Sequence, residues 1–162
     1  MVSIITCIDL DKKTYDVPVE KLRWRPSVYG IIIQDGQILL SPQFDGYDIP
    51  GWGINIWEKI DKALIREVHE ETGMEIEIQD LIHVDSNFFV HPRHPDDFLQ
   101  SILIYYRARI IWWKLSTDCF DEDEKEHARM AEWISLSELE NVKWASSVDL
   151  YPIIKKTLFS IS

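Results

Sequence analysis

The sequence predicts an α/β fold in which a mixed central sheet is sandwiched between helices, and three observations predict it. One long segment, at about residues 57–73, carries apolar residues at helical spacing and stops at a glycine. Runs rich in Ile, Val, Leu and aromatic residues lie on both sides of it, short and β-branched enough to be strands. Asp35-Gly36 separates two of those runs by the two residues that a tight hairpin needs.

Taken in order, residues 2–9 and 15–20 flank the polar turn DLDKKT and predict an N-terminal β-hairpin over residues 1–20. Trp24 and Pro26 lead into the main sheet, whose first two strands are Val28 to Ile33 and Gln37 to Ser41. Phe44-Asp45-Gly46 marks a turn before a short strand, Tyr47 to Ile49, which Pro50-Gly51 breaks. The helix then starts near Trp57 and ends at Gly73, a residue suited to a left-handed C-cap because it has no Cβ to clash there.

Alternation at residues 75–78 and the apolar stretch Leu81 to Val90 read as strands, as does Ser101 to Lys114. Between them, prolines and charges make residues 90–97 a loop. His91 and His94 are a weak metal-ligand pair there, and Arg93 is a candidate cation for a phosphate. Residues 117–126 are an acidic loop, Glu132 to Leu136 a late strand, and residues 137–141 a short helical turn with a serine cap. A closing helix over 147–159 tolerates Pro152 only in its first turn or at a kink.

Length and composition fit one domain, residues 1–162, with 46% hydrophobic and 12% aromatic content and neither linker nor repeat. A net charge of -11 argues against duplex nucleic acid and anionic membrane, because affinity for both is built from lysine and arginine. No stretch reaches the roughly 18 apolar residues of a membrane span. Cys7 and Cys119 have neither metal-ligand spacing nor the count of a disulfide framework, and the expectation is a reduced, cytoplasmic protein.

Chemistry concentrates in the long helix. On a 3.6-residue period Glu67, Glu70 and Glu71 share one face, while Ile60, Ala63, Leu64 and Val68 line another. Like charges at this spacing cost roughly 0.2–0.5 kcal/mol per pair unless something neutralises them. A hard divalent cation with oxygen ligands would do so, and so would plain solvation of an acidic face.

The run from Trp52 to Met74 resembles the Nudix hydrolase signature, G-x5-E-x7-R-E-U-x-E-E-x-G-U with U aliphatic. Glu58, Arg66, Glu67, Val68, Glu70, Glu71, Gly73 and Met74 all fall in place. Three positions depart from the family pattern: Trp52 stands at the first glycine, Trp57 at a small turn residue, and Asn55 where a glutamate is common.

The resemblance implies a Nudix-like α/β/α sandwich and a hydrolase that cleaves the diphosphate linkage of a nucleoside diphosphate joined to another moiety. It implies Mg²⁺ or Mn²⁺ as cofactor, held by Glu67, Glu70, Glu71 and the carbonyl of Gly51, with Arg66 fixing Glu58 or Glu70 in ligand geometry. A further glutamate from the acidic loop, Glu126 or Glu124, is implied as ligand or base. Trp52 and Trp57 are candidates for stacking on a nucleoside, weighed against packing and against a homodimer interface. The N-terminal strand is a second candidate for homodimer pairing. The alternative is a Nudix-like module that binds a nucleotide or a partner without turnover. Isomerase chemistry on an isoprenoid diphosphate lacks a suitable cysteine near the helix.

Overall fold

The computed structural model describes residues 3–113 and 131–159. Its strands are β1 (Ile4–Ile8), β2 (Thr14–Pro18), β3 (Leu22–Gln34), β4 (Gln37–Gln43), β5 (Gly46–Asp48), β6 (Gly51–Gly53), β7 (Met74–Val90), β8 (Phe98–Trp113) and β9 (Glu132–Ser135). The helices are α1 (Ile60–Thr72) and α2 (Leu150–Phe159), with 3-10 turns at Val19–Lys21 and Leu136–Asn141. The strands make a mixed sheet in the order β2-β1-β7-β8-β3-β4-β5, with β6 on β3 and β9 on β4.

Local chemistry accounts for the joints. Asp35 and Gly36 both take positive φ, 50° and 76°, as a two-residue hairpin turn requires, so β3 and β4 pair antiparallel from Gln34↔Gln37. β3 also runs parallel to β8 from Leu22↔Phe98 to Ile32↔Ala108. Alternation along β3 then sorts its side chains between two cores. Val28 and Ile32 join Ala63, Leu64 and Val68 of α1 on one side. Tyr29 and Ile31 join Leu103, Tyr105 and, from α2, Leu150, Ile153 and Ile154 on the other. Burial of each large aliphatic side chain contributes about 1.5–3 kcal/mol, which clamps α1 to the sheet and fixes where its acidic stripe points. Among the described residues no helix is long and apolar enough to cross a membrane.

Several expected boundaries move. α1 begins at Ile60 and not near Trp57, because the Asn55 backbone and side-chain N–H groups both donate to the Glu58 carboxylate and hold residues 55–58 as a turn. Ile60 itself lies largely exposed and is not part of the packing face. α2 begins at Leu150 and not at residue 147: the Asp149 carboxylate accepts from the Tyr151 N–H, and Pro152 falls in the first turn. Residues 74–90 are one strand rather than two, with register shifts around Leu81 absorbing the break in pattern. Pro50-Gly51, read as a break, does follow the end of β5 at Asp48, but Gly51–Gly53 then pairs with β3 as β6. The cap of the 3-10 turn is Ser135, whose hydroxyl accepts from the Ser137 N–H.

Candidate active site

The acidic face of α1 is organised by one arginine. Arg66 donates from Nε and Nη2 to the two oxygens of Glu58 at 2.8 and 2.7 Å, and from Nη1 to Glu67 at 2.7 Å and Glu70 at 2.9 Å. This is the forked geometry only a guanidinium offers. The hydrogen bonds to Arg66 hold Glu58 below the usual carboxylate range. Glu67 is 8% exposed although it is charged, which its arginine contact permits.

Glu71 is treated differently. It has no basic partner among the described residues; its Oε2 accepts from the Ser41 hydroxyl at 2.6 Å and the carboxylate also accepts from the Gly51 N–H. Burial raises its pKa well above the ordinary value, and the nearby charges of Glu67 and Asp48 push the same way, against the two hydrogen bonds. Gly51 reaches this position only as glycine: φ is 137°, and a Cβ would stand 2.1 Å from the Val28 carbonyl oxygen.

The donors therefore fit a hard divalent cation. They are all carboxylate oxygens, and Glu71 among them has no basic partner among the described residues. Among the described residues no three acidic, His or Cys side chains already close around a point, since Arg66 takes an oxygen from each of Glu67 and Glu70.

Beside this stripe, where β3 and β8 run parallel, a small cleft opens, partly to solvent. Arg25, Ser27 and Tyr29 alternate along β3 into it, opposite Ser101, Leu103 and Tyr105 of β8. Tyr29 and Tyr105 stack with ring centroids 5.1 Å apart. Asp48 lines the cleft while 5% exposed; burial pushes its pKa up to about 8, opposed by the Ile49 N–H that it accepts at 2.8 Å. Arg25 lies over the ring of Trp52 at 4.4 Å, and the edge of His91 meets Trp52 at 6.4 Å.

The residues singled out from sequence divide accordingly. Glu58, Arg66, Glu67, Glu70 and Glu71 come together on α1 with Gly51 beside Glu71. Trp52 lines the cleft, one face under Arg25. Trp57 is 85% exposed next to a fully exposed Ile56 and is absent from the cleft wall, so it does not fill space within the chain. Arg93 does not line the cleft, and its guanidinium stands 6.0 Å from the ring of Phe44, which does. The rings of His91 and His94 lie 4.8 Å apart, tilted by 38°, in a turn. Glu126 and Glu124 lie outside the described residues. Ser41, Asp48, Arg25 and the Tyr29–Tyr105 pair were not anticipated; the signal available was polar residues spaced by two in otherwise apolar strands.

Residues 23–155 match the family model described as NUDIX domain. No curated protein matches the chain. Among solved structures, a NUDIX hydrolase from Nitrosomonas europaea is 19% identical over 85% of this chain and 90% of its own, with a TM-score of 0.63. A UDP-X diphosphatase is 12% identical over 86% of this chain and 65% of its own, with a TM-score of 0.63. An ADP-ribose pyrophosphatase from Streptococcus suis 89-1591 is 18% identical over 82% of this chain and 91% of its own, with a TM-score of 0.58. At these identities the structural likenesses speak for the fold.

Proposed function

The chain belongs to the Nudix family, a pyrophosphohydrolase by that membership, and on that premise we propose that it cleaves the diphosphate linkage of a nucleoside diphosphate joined to another moiety, with Mg²⁺ or Mn²⁺. The observation that carries this reading is the juxtaposition of two unlike surfaces. An arginine-braced acid stripe on α1 ends at Glu71, and an aromatic cleft opens on the other side of Asp48. One surface suits a cation and the diphosphate, the other a planar organic group. That two structurally similar proteins are a UDP-X diphosphatase and an ADP-ribose pyrophosphatase supports this substrate class.

In this reading Glu67, Glu70, Glu71 and the Gly51 carbonyl would hold the cation, which would supply positive charge to polarise a P–O bond and acidify water. Arg66 fixes the rotamers of Glu67 and Glu70 and ties them through Glu58 to the preceding turn. Ser41 and the Gly51 N–H aim the Glu71 carboxylate. Glu70, 34% exposed at its side chain against 11% for Glu67, is open to water and is the base on α1; Glu126 is a second candidate for that role.

The test is a panel of nucleoside triphosphates, ADP-ribose, dinucleoside polyphosphates and nucleotide sugars with Mg²⁺ or Mn²⁺. At least one is expected to turn over, with release of a nucleoside phosphate, and Glu71→Gln to lower that rate by at least about 100-fold, as for loss of an essential charge-stabilising group. Protection against thermal unfolding by a nucleotide with no product from any member would instead establish a binding module.

A further inference from the structure

The cleft holds a cation, Arg25, that no carboxylate of the described residues neutralises. Arg25 is half-buried and burial lowers its pKa, yet among the described residues no carboxylate pairs with it. Asp97, the acid nearest in the adjoining loop, is engaged by both Nε and Nη2 of Arg23. Glu67 acts on Arg25 only through its field and is itself hydrogen-bonded to Arg66. In a chain with a formal charge of -11, a partly desolvated guanidinium without a counter-ion is an open requirement, because a buried charge is tolerated when paired.

Two features hold the side chain in place. The Trp52 ring lies 4.4 Å beneath the guanidinium, a contact worth about 0.5–2 kcal/mol. Gly53 leaves the space that the fork occupies: a Cβ there would stand 2.9 Å from Nη2 and 3.0 Å from Nε. The shelf explains why tryptophan stands where the Nudix signature has glycine, since a glycine at residue 52 would leave Arg25 without support. The His91 ring stands nearly perpendicular to that of Trp52, and burial first, then Arg25, His94 and Arg23, hold its pKa below the ordinary value against Asp97, which favours a neutral imidazole beside the guanidinium.

We propose that Arg25, shelved on Trp52, is the substrate-binding cation of the cleft and takes a non-bridging phosphate oxygen of the diphosphate through its guanidinium, without needing the divalent ion. The assignment rests on the diphosphate reading above for the identity of the anion. Arg25 rests on Trp52 and Gly53 of β6, the strand whose first residue, Gly51, is hydrogen-bonded to Glu71, so a diphosphate held beside the α1 acids falls within the same neighbourhood. The acids and Arg25 then divide the work: the acids need a cation before they can meet phosphate, whereas Arg25 meets it directly.

The experiment is calorimetric titration of inorganic pyrophosphate, and separately ADP, into the folded protein in EDTA, each variant first checked for an unchanged thermal transition. The wild-type protein is expected to bind both in EDTA. Arg25→Gln should weaken binding by at least tenfold, Arg25→Lys by less because it keeps the charge and loses the fork, and Trp52→Gly by several-fold, with Trp52→Phe between it and wild type. Glu70→Gln should bind as well as wild type or better, having lost a repelling charge. Should wild type show no affinity in EDTA, or Arg25→Gln bind like wild type, the assignment is wrong, whatever the turnover assay gives. If instead Arg25→Gln loses pyrophosphate while Glu71→Gln leaves turnover untouched, the assignment stands and the α1 mechanism falls. On any substrate that turns over, Arg25→Gln should raise KM more than it lowers kcat, as for loss of uniform binding.

Discussion

At the scale of single residues, Asp48 is the most exposed to pH although it is among the least exposed to water. Its carboxyl lines the cleft and is raised by burial to about 8 from an ordinary 3.8. Between those limits the folded protein holds a proton that the unfolded chain has given up. Stability from this group is therefore full below about pH 4 and is lost as pH climbs toward 8. Displacement of this size corresponds to an order of a few kcal/mol. Asp48→Asn keeps the shape and the acceptor for the Ile49 N–H but has nothing to ionise. Urea unfolding in EDTA at pH 5 and pH 8.5 should show wild type losing stability over that interval and Asp48→Asn losing less, with the variant the more stable of the two at pH 8.5. Equal slopes for the two proteins would mean that the carboxyl ionises freely within the fold. Cleft chemistry of this kind was illegible in the sequence, because nothing in the string YDIP tells a buried carboxyl from one in a surface turn. Its neighbours Tyr29 and Tyr105 come together only through the parallel register of β3 and β8.

At the scale of elements, α1 is where sequence and structure agree most closely, and the reason is local. Apolar and acidic residues repeat at helical spacing, Gly73 ends the helix in the left-handed conformation with φ of 69°, and contacts of Arg66 with Glu67 and Glu70 lie within one turn. Pattern within one turn can be read from the string, whereas the turn that delays the helix to Ile60 depends on Asn55 reaching Glu58, and β6 exists only because β3 is there to pair with it. The helix also carries its own test. Arg66 makes four hydrogen bonds to three glutamates, and a lysine can place one ammonium among them but cannot span all three. Arg66→Lys should keep the helix, since the propensities of the two residues are close. It should weaken Mn²⁺ affinity by about 10–100-fold, the usual effect of removing a group that orients the ligands, and lower turnover in step at subsaturating metal. Circular dichroism with Mn²⁺ titration decides it: a collapsed helix would make Arg66 structural, and unchanged affinity would leave the ligands to orient themselves.

At the scale of the whole molecule, the N-terminal hairpin is the least firmly joined part of the sheet. β1 and β2 pair with each other from Ile4↔Pro18 to Ile8↔Thr14, but β1 meets β7 in register only at Ile8↔Phe89. A small separate core of Cys7, Val17 and Val90 seals the hairpin, and Lys12 donates to the Ser146 carbonyl at 3.2 Å. Leu10 in its turn lines the cleft, so opening of the hairpin opens the cleft as well. Segments with so few ties open at a free energy below that of global unfolding. Cys7 reports this motion, because its thiol is fully buried and raised in pKa by burial, and reacts only once it reaches water as thiolate. In a Cys119→Ser background, labelling of Cys7 by a disulfide reagent under native conditions should run faster than global unfolding. Val17→Ala removes two buried methyl groups at about 0.8 kcal/mol each, so it should speed labelling roughly tenfold. If labelling keeps pace with global unfolding in both proteins, the hairpin unfolds only with the sheet and does not gate the cleft.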